Sequence, residues 1–160
     1  MNSYTPLLEF WFEFASNYSY LSVMRIEREA ARHELSVQWR PFLLGPIFQS
    51  FGWSTSPFVL QPWMAEFCRQ VMQLNFGADR DISSAACVSE VLAQLELPAD
   101  RIIAEAQAEP NKLRLRVQTE LARTKGIFGA PTFFVGEEMF WGNDRLDDAL
   151  AYAAASGAHR

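Results

Sequence analysis

Hydrophobic and polar positions alternate at both ends of the chain and follow a helical period between them. Near the amino terminus one face carries apolar side chains and the other is mixed: Leu8, Phe10, Phe12 and Phe14 against Glu9, Trp11 and Glu13. Such alternation predicts a β-strand. It stops at the small, turn-prone residues Ala15, Ser16 and Asn17, and a helical pattern begins at about Tyr18. Ser16 is therefore expected where a strand ends and a helix begins.

The remainder of the pattern completes a βαβ unit, a helical middle and a ββα unit. A predicted helical stripe contains Tyr20, Leu21, Val23, Met24, Ala30 and Ala31, and residues 35–44 alternate as a second strand. A strand, helix and strand of this length favour a right-handed crossover. Helical spacing follows, and it includes a short helix predicted through Leu113, Val117 and Leu121. Residues 131–135 and 139–141 predict a hairpin, and Asn143 or Asp144 is expected to cap a closing helix.

Composition narrows the class of protein. The 160 residues have a net charge of −5 without a basic block, which argues against a nucleic-acid partner. The amino terminus has no positive region, and Glu9 and Glu13 interrupt its apolar run, so neither a signal peptide nor a membrane span is expected. Cys68 and Cys87 lie in helical apolar patterns, which favours buried, reduced thiols in a cytoplasmic protein. With two histidines and no Cys/His cluster, no metal site is expected.

Four runs in a fixed order carry a resemblance to a known family. The runs are FEFASNYSYLS, WRPFLLGPIFQSFGWSTSPF, GIFGAPTFFV and FWGNDRLD. Together they resemble the 2-hydroxychromene-2-carboxylate isomerases, which are relatives of the kappa-class glutathione transferases and of bacterial disulfide-forming oxidoreductases. The resemblance implies an α/β, thioredoxin-like fold (βαβ–ββα) with an inserted all-helical subdomain. It places the thioredoxin-like core at residues 1–48 and 125–160 and the insert at residues 49–124.

Ser16 has two interpretations. As an ordinary N-cap it would only satisfy backbone N–H groups at the start of a helix. The resemblance instead implies that Ser16 is the catalytic serine in the place of a redox cysteine, and that it donates a hydrogen bond to the sulfur of glutathione. A hydroxyl donor and a helix N-terminus would both lower the pKa of that thiol.

The resemblance also implies which residues bind glutathione, the expected cofactor. Pro131 matches a cis-proline, and Ala130 before it would pair with the cysteinyl part of the tripeptide. Asn143 and Asp144 match the positions that hold the γ-glutamyl end, where Asp144 can accept from the ligand's ammonium group. Asp144 as a helix cap alone is a compatible alternative.

The pocket for a small aromatic substrate is expected at Asn17, Phe42, Leu43 and Trp53, with Phe48 and Phe51 as further wall residues. Such aromatic residues are more often part of a core. Asn17 stands where many relatives have proline. Glu13 has two open interpretations: a group that tunes the electrostatics of the site, or a solvated or hydrogen-bonded strand carboxylate.

The helical insert is shorter than in the relatives. They carry several tens of additional residues between the equivalents of Leu60 and Gln61, including a lysine that approaches glutathione. The lysines here, Lys112 and Lys125, match no such position. Without that lysine, loss of a charged hydrogen bond would cost about 1.5–3 kcal/mol of glutathione binding energy. Arg40 and Arg69 are the candidates to replace it.

The leading hypothesis is a glutathione-dependent cis–trans isomerase of the 2-hydroxychromene-2-carboxylate type, in aromatic catabolism, acting as a homodimer. Two alternatives are a kappa-like glutathione transferase and a non-catalytic glutathione-binding protein with a thioredoxin fold. Disulfide exchange is disfavoured, because residues 16–19 read Ser-Asn-Tyr-Ser and offer no thiol pair.

Overall fold

The computed structural model describes residues 5–43 and 62–157, and its elements follow the predicted order. The strands are β1 (Leu7–Phe12), β2 (Ser36–Pro41), β3 (Thr132–Val135) and β4 (Glu138–Trp141). The helices are α1 (Asn17–Val23), α2 (Ile26–Arg32), α3 (Met64–Ala78), α4 (Ala85–Gln94), α5 (Ala99–Gln107), α6 (Glu109–Thr124) and α7 (Leu146–Gly157), with a 3₁₀ turn at Asn143–Arg145 before α7.

The chain divides into two compact units at residues 40/41 and 126/127. The first unit contains all four strands, α1, α2, the 3₁₀ turn and α7, and the second contains α3–α6. The predicted boundary at 48/49 lies outside the described residues, and the one at 124/125 is two residues before the division seen here. The predicted extent of the insert therefore stays a prediction.

The four strands form one sheet in the order β2-β1-β3-β4. Strand β3 runs antiparallel to both β1 and β4, with Phe10 opposite Phe133 and Phe133 opposite Phe140. Both faces of β1 are buried, since Trp11 is as inaccessible as Phe10 and Phe12. The alternation correctly predicted the strand, but the mixed face carrying Trp11 is not a solvent face. Strand β1 is interior to the sheet, where both of its faces can be covered.

An aromatic cluster joins three strands of the first unit. Phe10 stacks on Phe12 at 5.0 Å and on Phe133 at 5.4 Å between ring centroids. Trp39 of β2 meets Phe10 and Phe12 edge-on at 5.1 and 5.4 Å. Stacked and edge-to-face pairs of this kind contribute about 0.5–1.5 kcal/mol each beyond the area they bury. The cluster therefore fixes β1, from whose end the chain continues to Ser16.

The predicted stripe on the first helix is wrong in part. The segment forms two helices, with a break between Val23 and Ile26. Leu21 and Met24 are exposed, whereas Ser19 and Ser22 are buried. The serines turn inward because the Ser19 hydroxyl accepts from the Glu13 N–H at 3.4 Å and the Ser22 hydroxyl donates to a side chain beyond β4. Hydrophobic periodicity does not detect a helix face that is buried through hydrogen bonds.

In the second unit, α3 and α4 bury the apolar faces that the sequence predicted. Cys68 and Cys87 lie in these faces, both are buried, and no disulfide joins them. The prediction of buried, reduced thiols is confirmed.

The helix predicted through Leu113, Val117 and Leu121 is present as α6, but these three residues do not face inward. Leu113 and Val117 are 57% and 61% exposed, and Leu121 is exposed as well. The buried positions of α6 are Asn111, Leu115 and Ala122. Asn111 donates to the carbonyl of Glu105, so a polar contact to the preceding helix helps to select the face that turns inward. No helix within residues 5–43 and 62–157 combines the length and apolar character needed to cross a membrane.

Candidate functional site

Ser16 lies at the junction of β1 and α1, as predicted. Its backbone is extended (φ −91°, ψ 114°), and its Oγ accepts from the Ser19 N–H at 3.1 Å, which makes it the N-cap of α1. The same hydroxyl donates to the Ala130 carbonyl at 3.0 Å. A cap needs only the acceptor oxygen, so the donated proton is a second function of this side chain. Ser16 is half-buried and can be reached by a ligand.

The loop before β3 receives that proton and holds the next predicted residues. The peptide bond between Ala130 and Pro131 is cis, the isomer that the resemblance implied. The Thr132 hydroxyl donates to the Gly129 carbonyl at 2.8 Å, and the Gly142 N–H donates to the Pro131 carbonyl at 2.9 Å. The loop is thereby joined on one side to Ser16 and on the other to the turn that follows β4.

Gly142 begins that turn in a conformation that only glycine adopts readily. Its φ is 108° and its ψ is 150°, in a region that is essentially restricted to glycine. A Cβ at this position would lie 2.4 Å from Oδ1 of Asp144. The turn therefore brings the Asp144 carboxylate against the backbone of Gly142. Asp144 is exposed, and no cation of the described residues pairs with it.

Asn143 is held by Ser22 of α1 and by Arg25, which lies between α1 and α2. The Ser22 hydroxyl donates to Asn143 Oδ1 at 2.9 Å, and Arg25 Nε lies 3.5 Å from the same oxygen. Arg25 also donates through Nη2 to the Asn143 carbonyl at 2.9 Å and pairs through Nη1 with Asp147 at 3.1 Å. Asn143 thus anchors the turn to α1, and its Oδ1 is already engaged within the chain.

Ser22 and Arg25 were missed as site residues by the sequence reasoning. Neither of them was given a role from the sequence alone. Neither pattern nor spacing signals their contacts, because their partner lies about 120 residues further along the chain.

Three segments thus form one connected arrangement: the start of α1, the Ala130–Pro131 loop and the turn at Gly142–Asp144. It presents a hydroxyl donor, a loop carbonyl and an exposed carboxylate, all on the first unit. Within the described residues, no group of histidine, cysteine or acidic side chains could hold a metal ion.

Glu13 is 8% exposed, so its interpretation as a solvated carboxylate is wrong. Its carbonyl accepts from the Ser16 N–H at 3.2 Å, which shapes the turn into α1. A role for its carboxylate in tuning the site stays a prediction.

The predicted substrate-pocket residues are not joined to one another by the contacts that the structure describes. Asn17 is exposed as the first residue of α1. Phe42 is buried and Leu43 half-buried in the second unit, where the Leu43 N–H donates to Thr119 Oγ1 at 3.4 Å. Trp53, like Phe48 and Phe51, lies outside the described residues. The pocket stays a prediction.

The two candidates to replace the missing lysine both face carboxylates of their own unit. Arg40 Nη2 lies 3.5 Å from Glu9, and its guanidinium lies 5.8 Å from the ring of Trp11. Arg69 pairs with Glu66 at 2.8 Å in the second unit. That either one offsets the missing lysine stays a prediction.

Comparison with known proteins places this chain in a family. The DSBA-like thioredoxin domain matches residues 58–154, more than half of the chain. The chain belongs to the DSBA-like thioredoxin family. The thioredoxin-like α/β fold expected from the sequence is therefore confirmed. Residues 16–19 of this chain contain no cysteine, so it lacks the pair of thiols that a disulfide oxidoreductase needs at this position.

The DSBA-like chain is similar over most of its length to proteins named 2-hydroxychromene-2-carboxylate isomerase. It is 27% identical to the one from Pseudomonas putida, covering 88% of this chain and 90% of the relative. It is 24% identical to the one from Sphingobium xenophagum, covering 92% and 98% respectively. A solved structure of a 2-hydroxychromene-2-carboxylate isomerase shares its fold with a TM-score of 0.78 at 21% identity, covering 96% of this chain and 98% of that one.

The alignment with the Sphingobium protein spans 194 positions, which is longer than the 160-residue chain. Part of the relative therefore has no counterpart here, in agreement with a shortened chain. Leu60 and Gln61, between which the gap is predicted, both lie outside the described residues.

Proposed function

We propose that this chain is a glutathione-dependent cis–trans isomerase that acts on a bicyclic aromatic hemiketal of the 2-hydroxychromene-2-carboxylate type. The observation that carries the proposal is the Ser16 hydroxyl, which caps α1 through its oxygen and still has a proton to donate, here to the Ala130 carbonyl. The names of the similar proteins support the substrate class.

The donors and acceptors at the site match the chemical groups of glutathione except at one end. A hydroxyl suits a thiolate, the loop carbonyl of Ala130 suits a peptide N–H, and the Asp144 carboxylate suits an ammonium group. A cation for the glycyl carboxylate is the part that the shortened chain leaves unassigned. When bound, glutathione would supply a thiolate that adds reversibly to the conjugated double bond and leaves after rotation, with no net oxidation or reduction.

Ser16 would support this chemistry through an exchange of its single proton. In the structure, the Ser16 hydroxyl donates to the Ala130 carbonyl. With a thiolate beside it, the hydroxyl would turn to the sulfur, and the Ala130 carbonyl would become available to the ligand's amide N–H. The Ser16 hydroxyl and the Ala130 carbonyl each keep one hydrogen-bond partner, and the negative sulfur gains a donor, which lowers the pKa of its thiol.

Three variants of Ser16 separate this role from the cap. Ser16→Ala removes both the cap and the donor, so we expect about 0.5–2 kcal/mol lower stability and an isomerisation rate lower by orders of magnitude. Ser16→Asp keeps a capping oxygen but has no donor at neutral pH, so the stability should largely return and the rate should not. Ser16→Thr keeps both groups and should retain activity. Ser156→Ala, at a half-buried hydroxyl on α7 that donates to the Tyr152 carbonyl of its own helix, is the control.

The assay follows 2-hydroxychromene-2-carboxylate with and without glutathione, and calorimetry measures glutathione affinity. Asp144→Ala removes a charge-assisted hydrogen bond worth about 1.5–3 kcal/mol and should weaken binding roughly 10- to 100-fold. An unchanged rate in Ser16→Ala would remove Ser16 from the mechanism. Tight glutathione binding without turnover would favour the non-catalytic alternative, and accumulation of a glutathione adduct would favour the kappa-like transferase.

A further inference from the structure

Two large aromatic side chains of the first unit are exposed side by side. Phe128 is 63% exposed and Trp141 is 52% exposed. Their ring centroids are 4.8 Å apart, with the ring planes tilted by 57°. Most exposed apolar side chains need no explanation, but two large rings in mutual contact form a small hydrophobic patch. We refer to them as the Phe128–Trp141 pair.

Two features of the sequence fix Trp141 in this position. In β4, Phe140 is buried and Trp141 takes the opposite face of the strand. Gly129 has no side chain, and a Cβ there would lie 2.2 Å from Trp141 Nε1. The indole ring therefore rests directly on the backbone of Gly129. Its position is set by the loop that leads into Ala130.

The Phe128–Trp141 pair is continuous with the candidate site at both of its residues. Phe128 and Gly129 directly precede Ala130, which accepts the Ser16 proton. Trp141 is followed by Gly142, whose N–H donates to the Pro131 carbonyl at 2.9 Å. A ligand held by the Ala130 loop and the turn after β4 would thus lie next to these rings.

We propose that the Phe128–Trp141 pair is the platform for the planar ring of the aromatic substrate, which it holds beside the thiolate positioned by Ser16. The inference rests on the proposed function. A flat ring system is the occupant that matches two exposed aromatic faces, because offset stacking and edge contacts both become available to it. The indole, backed by Gly129, is also ordered before the substrate arrives, which reduces the entropy lost on binding.

The test uses Trp141→Ala and Trp141→Phe, with Tyr152→Ala as the matched control. Tyr152 is also exposed and packs against an aromatic ring of β4, but it lies on α7. In Trp141→Ala we expect the KM for 2-hydroxychromene-2-carboxylate to rise roughly 10-fold or more, while the Kd for glutathione changes less than two-fold. Trp141→Phe should recover part of the loss, and Tyr152→Ala should behave like the parent.

A binding measurement separates this inference from the proposed function. The probe is 2-naphthoate, a planar bicyclic carboxylate that does not react with thiols, titrated by calorimetry in the absence of glutathione. Weaker binding in Trp141→Ala and in Phe128→Leu supports the platform even if no isomerisation is found. The inference is overturned if the folded variants bind 2-naphthoate as tightly as the parent chain and show the same KM. It is also overturned if the parent chain does not bind 2-naphthoate. Both conclusions are independent of the activity of Ser16→Ala. A change in oligomeric mass in Trp141→Ala, measured by sedimentation, would instead make the pair a contact between copies.

Discussion

Replacement of Gly142 by alanine tests how the turn after β4 positions Asp144. The new Cβ would meet two obstacles in the native conformation. The φ of 108° with ψ of 150° lies where side chains are disfavoured, and the Cβ would lie 2.4 Å from Asp144 Oδ1. The backbone obstacle cannot be relieved locally. The carboxylate obstacle can, because the end of the Asp144 side chain can rotate away.

The two obstacles have different consequences, which the structure allows us to separate. A residue forced into this backbone region costs about 1–3 kcal/mol. For a chain of this size, each kcal/mol lowers Tm by about 2–4 °C. Rotation of Asp144 costs little stability, but it removes the carboxylate from its position, so glutathione affinity should fall roughly 10-fold through loss of a charged hydrogen bond.

Gly136 offers a matched control in the hairpin between β3 and β4. Its φ is 62°, in the left-handed region, and a Cβ there would meet nothing within 4 Å. Alanine at this position costs about 1–2 kcal/mol in the folded backbone, and the offset of about 0.4–1 kcal/mol from a less flexible unfolded chain is the same for both glycines. We expect Gly136→Ala to lose less stability than Gly142→Ala and to bind glutathione normally.

The measurements are thermal unfolding and glutathione calorimetry on both variants and on the double variant Gly142→Ala with Asp144→Ala. If Gly142 acts by positioning Asp144, its substitution has no further effect on affinity once the carboxylate is gone, so the two effects are not additive. Equal losses of stability in the two glycine variants would refute the backbone argument. Additive losses of affinity would refute the positioning argument.

The remaining predictions concern the anchor of that turn and the buried thiols. Arg25→Ala removes the hydrogen bond to the Asn143 carbonyl, so it should lower the free energy of unfolding by about 1–2 kcal/mol and weaken glutathione binding. The control Arg28→Ala removes an exposed ion pair with Glu29 and should lower the free energy of unfolding by less than about 0.5 kcal/mol. Equal losses of stability in the two variants, measured by thermal unfolding, would contradict an anchoring role for Arg25. Cys68 and Cys87 should react with a thiol reagent only after unfolding, so rapid labelling of the native chain would contradict their burial.

The strands were predictable because aromatic and β-branched residues are frequent in them, and because the turn between β3 and β4 carries Gly136. Burial of both faces of β1 was not predictable, because charged residues such as Glu9 and Glu13 on the mixed face are typical of a face exposed to solvent. Glu9 is half-buried, where it accepts from Trp11 Nε1 at 2.9 Å and meets Arg40. A polar residue among buried ones is compatible with an interior strand when its partner comes from a neighbouring strand, and a local pattern does not reveal that partner.

The helices show the same limit more sharply. On α6, Leu113 and Val117 have the spacing of a buried stripe and are nevertheless exposed, while Asn111 is buried. Periodicity identifies the helix, but the face that turns inward is decided by packing against other elements. On α1, two of the three buried residues are serines, which form hydrogen bonds to Glu13 and Asn143, and the third is Val23.

The candidate site combines both kinds of information. Ser16, Ala130 and Asp144 were named through resemblance, and the structure brings the first two into direct contact although 114 residues separate them. What the sequence did not reveal is the connection from Arg25 to Asn143 and from Pro131 to Gly142. These contacts make the three segments interdependent. Loss of either contact should therefore alter glutathione affinity, even though the contact itself is not made to the ligand. In a dithiol protein of the same fold, the residue at position 16 would react through its own sulfur. Under the proposed function, the serine at this junction would instead donate its proton to a thiolate that comes from a bound cofactor. That difference favours the proposed isomerase over a disulfide oxidoreductase.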